Sequence, residues 1–278
     1  MEEKLKEAID EGGLKAHQIV FPSTCQPRLD DTRLPAVSFQ NPDFSDLVLC
    51  RRALEAVHAT DCPATKIPMS PMRNADVQGV RLKEAHRRTG WYLAIIFLPS
   101  ILKLEEYTMP HVQGGTISGH RLAKDSNTLI VALMRGGEPM AFGVSDGLPK
   151  AMFLHAKHAT DITKSHVKGP TILVDSVVNN GTTILEFTQH IRTLHQTTPI
   201  VVITGVAQSQ CLEKGAELRK TLSRLGNVNI VALRLSERRF TGKKASDTGN
   251  RLFNTVHMEK GSLSHVVELV RRNVGRFM

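Results

Sequence analysis

The sequence predicts an α/β fold in which a mainly parallel central sheet is flanked by helices. One observation behind this prediction is that short apolar runs alternate with stretches of helical period from residue 128 onward. Another is that apolar runs end in polar, glycine-containing turns, after which a helix begins. Strands are expected at 128–134, 151–155, 171–175, 199–206 and 228–234, and helices at 138–147, 182–195, 208–225 and 262–275.

The chain before this alternation is predicted to contain an N-terminal extension, helices and a β-arm. Residues 1–45 combine a charged start with an irregular, proline-punctuated segment, which is typical of an appendage. A short helix is expected in 46–60, and a loop from Pro63 to Pro71. Apolar residues at helical spacing predict a helix from Val77 to Ile101. The period then changes to that of a β-hairpin over residues 104–122.

A single domain is predicted for residues 46–257, followed by a C-terminal helix within 258–278 that packs on it. The length of 278 residues fits one large domain with decorations. The hairpin of this domain is expected to turn at Gly114-Gly115.

The composition is that of a globular protein that can bury a sizeable core, with 41% hydrophobic and 23% charged residues. Four scattered cysteines without a CxxC pair argue against a disulfide framework or a zinc ribbon, and for a reducing compartment. The first 20 residues lack an apolar signal-peptide core, and the apolar stretch from Trp91 to Leu98 is too short to span a bilayer. We therefore expect a cytoplasmic protein, with a nuclear location also open.

The net charge of +9 and the pI near 9.6 allow three interpretations. A solvated basic surface is the first, and anionic small ligands are the second. RNA binding is the third and least favoured interpretation. Aromatic residues make up only 5% of the chain, and the basic residues are spread along it instead of forming a compact patch.

The segment from Thr171 to Thr183 carries the strongest functional signal in the chain. An apolar run ends at Val174, and Asp175 follows at the carboxyl edge of the expected strand, where ligands of open α/β sheets bind. A polar turn then leads into helical spacing, and a helix N-terminus offers unpaired N–H groups to a phosphate. We expect Asp175 to accept hydrogen bonds from ribose hydroxyls. The alternative is an ordinary strand–turn–helix unit of a Rossmann-like protein.

Two further polar clusters also combine residue types that suit the binding of a phosphorylated ligand. Arg135, Gly136 and Gly137 come directly after the strand at 128–134, so the backbone allows close approach of a ligand and the arginine can pair with phosphate oxygens. Near the C-terminus, residues 246–255 place an acid and an arginine in one loop. Taken singly, these clusters also fit a simple βα turn and a surface turn with a local ion pair.

Taken together and in this order, the three segments resemble the uracil phosphoribosyltransferases over roughly residues 75–256. The family's Arg-Ala-Gly-Glu turn stands here as residues 135–138, and its Asp-Pro-Met-Leu-Ala-Thr-Gly-Gly loop as 175–182. Its final Gly-Asp-x-Gly-Asp-Arg motif stands as 246–251. The helix leading to Leu98-Pro99 and the β-arm stretch also resemble the family. The resemblance implies the type I phosphoribosyltransferase fold.

The resemblance also implies a reaction in which uracil and phosphoribosyl pyrophosphate (PRPP) give UMP and pyrophosphate, as in pyrimidine salvage. PRPP would carry Mg²⁺, the substrates would be small molecules, and the protein would be a homodimer with no membrane partner. Nucleic acid stays a possible but less favoured partner. The chemistry needs no covalent nucleophile, because it works by positioning and by stabilising the departing pyrophosphate.

By the same resemblance, the catalytic residues are Arg135, Asp175 and Asp247, and Asp247 would also contact the metal through Mg-PRPP. Arg135 and the backbone of Gly136 and Gly137 would hold pyrophosphate, and Asp175 the ribose hydroxyls. The 5′-phosphate would be cradled by Asn179, Asn180, Gly181, Thr182 and Thr183. The base would be bound by the loop that contains Phe240, Thr241, Gly242 and Ser246.

The chain departs from the family pattern in the base loop, where Lys243-Lys244 replace a Pro-Gly pair. The loop after Leu154 offers only Lys157 and Lys164 in place of an arginine, and lysine is a poorer bidentate clamp. We therefore expect weak or absent uracil transfer, with PRPP binding better retained. Two functions stay open: an active phosphoribosyltransferase, or a degenerate relative that binds a phosphoribosyl ligand, RNA or a protein without turnover.

Overall fold

The computed structural model describes residues 55–59, 63–242 and 246–256 of the chain. The predicted N-terminal extension, the predicted C-terminal helix at 262–275 and the Lys243-Lys244 pair lie outside the described residues. The domain boundaries at 45 and 257 therefore stay predictions.

Eight strands form two sheets in the described parts of the chain. They are β1 (Glu55–His58), β2 (Leu104–Pro110), β3 (Thr116–Leu122), β4 (Leu129–Leu133), β5 (Met152–Ala156), β6 (Thr171–Val178), β7 (Ile200–Gln208) and β8 (Val228–Ser236). Six of them form one sheet in the order β1-β8-β7-β6-β4-β5, and every neighbouring pair is parallel. The predicted mainly parallel sheet is confirmed.

Seven α-helices accompany these strands within the same residues. They are α1 (Pro63–Arg73), α2 (Gly79–Leu102), α3 (Glu138–Gly147), α4 (Thr182–Leu194), α5 (Ser209–Leu212), α6 (Glu217–Leu225) and α7 (Thr248–Leu252). None of the helices that the structure describes combines the length and the hydropathy needed to cross a membrane.

The central strands are covered on both faces. All five residues of β4 are buried, and alternate ones contribute to two different hydrophobic clusters. One cluster includes Phe187 of α4 and Leu218 of α6, and the other includes Leu93 of α2 and Met140 of α3. This two-sided burial is why the strands appear in the sequence as continuous apolar runs.

Helices α2 and α3 pack with their backbones in contact. A Cβ atom added at Gly90 of α2 would overlap the carbonyl oxygen of Met140, and one added at Gly143 of α3 would overlap that of Arg87. Only glycine allows such an approach, so a position that weakens a helix by propensity is required here by packing.

Two of the predictions for the N-terminal part of the domain are wrong. The segment Pro63–Arg73, predicted as a loop, is helix α1, because Pro63 occupies the first helical position, where its missing N–H costs nothing. Tertiary contacts hold the helix despite two inner prolines: Met69 is buried, and the buried Thr65 hydroxyl donates to the Ala59 carbonyl at 2.8 Å. The short helix predicted in 46–60 is replaced at its end by β1, which pairs in parallel with β8.

The remaining elements follow the predictions with one interruption. The β-arm is confirmed: β2 and β3 are antiparallel, and Gly114 and Gly115 of the connection have φ of 92° and 76°. The helix predicted for 208–225 is divided into α5 and α6 by a break that contains Gly215.

Candidate functional site

The strand end that carries Asp175 lies in the middle of the sheet. Strand β6 sits between β4 and β7, and Asp175 pairs with Thr204. The strand continues beyond Asp175 to Val178, so Asp175 lies three residues before the strand end instead of at it. The polar turn at 179–181 then connects β6 to α4.

The turn after β4 lies directly against β6. A Cβ atom added at Gly137 would overlap the carbonyl oxygen of Val174, so this position accepts only glycine. Beside it, the Ser176 hydroxyl donates a hydrogen bond to the Gly136 carbonyl. A Cβ atom at Gly136 would lie 3.4 Å from Oδ1 of Asp175. The turn that begins at Arg135 is therefore held beside the Asp175 carboxyl group by main-chain contacts.

Arg135 connects this turn to the C-terminal motif. Its guanidinium donates to Oδ1 of Asn250 at 3.2 Å and lies 5.9 Å from the centre of the Phe253 ring. The Met134–Arg135 peptide bond is cis. The side chains of Arg135 and Asn250 are 115 positions apart in the sequence, yet the fold places them in one site.

Asp247 is held at the start of α7. Its Oδ1 accepts a hydrogen bond from the backbone N–H of Asn250 at 2.8 Å, as an N-cap does. Its second oxygen points toward Gly242, where an added Cβ would lie 3.4 Å away. One carboxylate oxygen is thus used for capping, and the other faces the predicted base loop.

The predicted phosphate loop begins helix α4. Gly181 is the N-cap residue with φ of 78°, and Oδ1 of Asn180 accepts from the backbone N–H of Thr182 at 3.2 Å. Thr182 and Thr183 are exposed. The side-chain oxygen of Asn179 is buried and has no hydrogen-bond partner in the described parts of the chain. The helix end therefore offers accessible backbone N–H groups of the kind that bind phosphate.

The electrostatic state of Asp175 is unusual for a carboxyl group. Burial raises its pKa to about 7, against the opposing effect of backbone hydrogen bonds from Ser176 and Val177. Near neutral pH the group is therefore close to half ionised, which is typical of functional sites although it does not define one.

A cleft of about 540 Å³ opens beside this edge of the sheet, between α1, the ends of β6 to β8 and the loop that follows β8. Two of the predicted base-binding residues, Phe240 and Ser246, line it. Thr241 and Gly242 do not line it; the Thr241 carbonyl instead accepts from the Ser246 hydroxyl at 3.0 Å. Ser176 also lines the cleft, so the cleft adjoins the Asp175 region.

The most prominent feature of this cleft is its arginines, which were not predicted as site residues from the sequence. Among the described residues, the lining includes Arg73, Arg234, Arg238, Arg239 and Arg251, and no aspartate or glutamate. We call it the arginine cleft. Two signals were available in the sequence: a single arginine inside the apolar β8 segment, and the Arg238-Arg239 pair directly before Phe240.

Arg251 differs from the other arginines in having a structural task. Its guanidinium donates to the carbonyl oxygens of Met72 in the last turn of α1 and of Asn74 and Val77 in the connection to α2. Burial lowers the pKa of Arg251. The arginine of the C-terminal motif therefore fastens the segment that forms one wall of the cleft.

The carboxylates of the described residues do not form a metal centre. No group of three or more His, Cys, Asp or Glu side chains with suitable geometry occurs in residues 55–59, 63–242 and 246–256. Asp175 has a raised pKa, and one carboxylate oxygen of Asp247 caps helix α7.

The parallel sheet, the glycine turn against Val174, the acid on the neighbouring strand and the exposed helix N-terminus define a phosphoribosyltransferase-like α/β protein. The family model described as uracil phosphoribosyltransferase matches residues 59–255. The chain therefore belongs to the uracil phosphoribosyltransferase family, a family of phosphoribosyltransferases that act on small molecules.

Comparison with solved structures supports the same fold. Twenty-six chains match, and one of them is the AQ2163 protein from Aquifex aeolicus. It is 19% identical with a TM-score of 0.56, over 71% of this chain and 97% of that chain. No protein among the curated sequences matches.

Proposed function

We propose that the protein binds PRPP at the carboxyl edge of its sheet and transfers the ribosyl phosphate to a base, releasing pyrophosphate. The observation that carries this proposal is the contact of Gly137 with the Val174 carbonyl, which brings the Arg135 turn beside Asp175. The hydrogen bond from Arg135 to Asn250 then adds the C-terminal motif to the same site.

The proposed roles follow from the positions of the groups. Arg135 uses one N–H for Asn250, and the remaining donors of its planar guanidinium are available to the pyrophosphate oxygens. The N-terminus of α4 would hold the 5′-phosphate, and ionised Asp175 would accept from the ribose hydroxyls. Negative charge that develops on the leaving pyrophosphate would be stabilised by Arg135. Mg²⁺ would arrive bound to PRPP and belongs to the substrate.

Family membership supports pyrimidine salvage as the setting, with UMP as the product when uracil is the base. Homodimer formation and a cytoplasmic location belong to the same proposal. The second candidate is a relative that binds the phosphoribosyl ligand without turnover. One observation favours it: the arginine cleft does not offer the neutral surroundings that suit uracil, because charged groups are costly to desolvate next to an uncharged ligand.

Calorimetric titration with PRPP in the presence of MgCl₂ tests the proposal. The wild type should bind, and Asp175→Ala should bind about tenfold to a hundredfold more weakly, because hydrogen bonds to a charged group are worth about 1.5–3 kcal/mol. Asp146→Ala is the matched control, since Asp146 is exposed near the C-terminal end of α3 and pairs with Arg87. Equal affinity of the wild type and Asp175→Ala would contradict the assigned role.

A second assay separates the two candidates. UMP formation from uracil and PRPP, with turnover in the ordinary enzymatic range of about 1–1000 per second, would establish the transferase. PRPP binding without product from any base would favour the ligand-binding candidate. Absence of PRPP binding would refute both.

A further inference from the structure

The arginine cleft has a positive charge that nothing within the described residues balances. Arg73 and Arg234 both line it, and burial together with the charge of Arg73 lowers the pKa of the Arg234 guanidinium. Asp76, Glu237 and Asp247 are acids close in sequence to these arginines, but none of them lines the cleft, and none forms an ion pair with its arginines in the described parts of the chain. Like charges that share a site repel each other, and a bound anion would relieve this repulsion.

Arg234 is the central residue of this cluster. It lies on β8 opposite Val206 of β7, at the carboxyl edge of the sheet. Its Nε is buried and has no hydrogen-bond partner in the described chain. Because a buried N–H without a partner costs free energy, a ligand that accepts from it would gain a charge-assisted hydrogen bond.

Much of the remaining lining is apolar. Met69, Met72, Val177, Leu233 and Phe240 contribute to the walls. His86 also lines the cleft, but burial lowers its pKa to about 4, so its ring is neutral at pH 7. Among the described residues, the positive charge of the cleft therefore comes from arginines and does not change over the physiological pH range.

These observations describe one kind of ligand. The apolar walls suit a planar heterocycle, and the unpaired guanidinium groups suit an anionic substituent at its edge. A bare six-membered base uses little of 540 Å³, which lies within the range of about 300–1,000 Å³ typical of sites for larger ligands.

We propose that the acceptor of this phosphoribosyltransferase is a planar heterocyclic base that carries a carboxylate, which Arg234 and its neighbours bind, instead of neutral uracil. The inference rests on the proposed function and specifies its substrate class. A ring nitrogen of the base forms the new bond to C1′ of PRPP, and the C1′–O bond to pyrophosphate breaks. Pyrophosphate leaves with the electron pair, and the proton of the ring nitrogen passes to solvent.

The test compares orotate, the 6-carboxylate of uracil, with uracil itself. Both are titrated calorimetrically with and without PRPP and MgCl₂, and both are assayed for nucleotide formation. We expect orotate to bind at least tenfold more tightly than uracil. Arg234→Met, which keeps the length and removes the charge, should weaken orotate binding about tenfold to a hundredfold and leave PRPP binding unchanged.

Two further variants make the comparison independent of folding defects. Arg81→Met is the matched control, because Arg81 is exposed on α2 and does not line the cleft, and it should bind orotate as the wild type does. Arg238→Met removes an exposed arginine at the cleft, so it should fold normally and still weaken orotate binding several-fold. Thermal unfolding of each variant shows whether a loss of binding reflects a loss of structure.

The outcomes distinguish this inference from the proposed function. If PRPP binds and uracil is preferred to orotate, the inference is overturned while the transferase stands. If PRPP does not bind but orotate binds in an Arg234-dependent manner, the transferase fails and the ligand class is supported. If inorganic phosphate or UMP occupies the cleft and orotate does not, the arginines form a phosphate site and the inference is wrong.

Discussion

Replacing Asp175 by asparagine should remove a pH-dependent cost of folding. The buried carboxyl group has a pKa of about 7 instead of its ordinary value of 3.8, because desolvation disfavours its charged form. Asparagine has nearly the same shape and keeps an oxygen that can accept from the backbone N–H of Ser176, a hydrogen bond of 2.7 Å. The substitution therefore removes the charge with little change in packing.

The sign and the size of the effect follow from the two pKa values. Below pH 3.8 the carboxyl group is protonated in both the folded and the unfolded chain. Between 3.8 and about 7 only the folded chain holds the proton, so the free energy of unfolding of the wild type falls as the pH rises through this window. A shift of about three units at about 1.4 kcal/mol per unit gives roughly 4 kcal/mol. Because the residue keeps some exposed surface, we expect about 2–4 kcal/mol.

Chemical denaturation at a series of pH values from 4.5 to 8.5 measures this difference. The Asp175→Asn variant should gain stability relative to the wild type as the pH rises, and the gain should level off above pH 7. Asp146→Asn is a control of opposite sign, because the Arg87 guanidinium lowers the pKa of Asp146, and its exposed ion pair is worth only about 0–1 kcal/mol. Parallel curves for the wild type and Asp175→Asn would refute the reasoning.

Three further substitutions test the packing that positions the site. Gly137→Ala should abolish PRPP binding and cost at least about 1–3 kcal/mol by overpacking, as seen in calorimetry and urea unfolding, whereas Gly215→Ala, which meets no atom within 4 Å, should be near neutral. Arg251→Met should lower the free energy of unfolding in urea by about 2–4 kcal/mol, because it leaves three carbonyl groups unpaired. Arg88→Met, which breaks only an exposed ion pair, is the control. An equal loss in the two variants would contradict the role of Arg251 in holding the connection from α1 to α2. Arg192→Leu should lower the unfolding midpoint similarly, since its guanidinium donates to the carbonyls that follow α4 and α6, and an unchanged midpoint would count against this.

The central part of the fold could be predicted because its determinants are local. The strands at 129–133 and 171–178 are continuous apolar runs, since both of their faces are buried, and glycine turns mark where they end. Helix α1 could not be predicted, because prolines inside a helix are unfavourable by themselves, and only the contacts of Thr65 and Met69 with the core outweigh them.

The candidate site also has a part that could be predicted from the sequence and a part that could not. Arg135, Asp175 and Asp247 stand in short motifs, so the sequence alone suggests that they share a site, and the structure places Arg135 against the motif of Asp247. The arginine cleft is not marked by a single short motif; the sequence shows only a lone arginine in β8 and the Arg238-Arg239 pair, without indicating that they meet. Arg73 comes from α1 and Arg234 from β8, and only the tertiary fold brings them to one cavity.

The contact between α2 and α3 links the Arg135 turn to the arginine cleft. Helix α3 begins directly after the Arg135 turn, and α2 carries His86 into the arginine cleft. Because glycines at 90 and 143 let the two backbones touch, main-chain contact sets the spacing between these two helices. Under the proposed function, the choice of acceptor would by contrast depend on side chains such as Arg73 and Arg234. Specificity could then be redesigned one side chain at a time without changing the helix contact that supports the Arg135 turn.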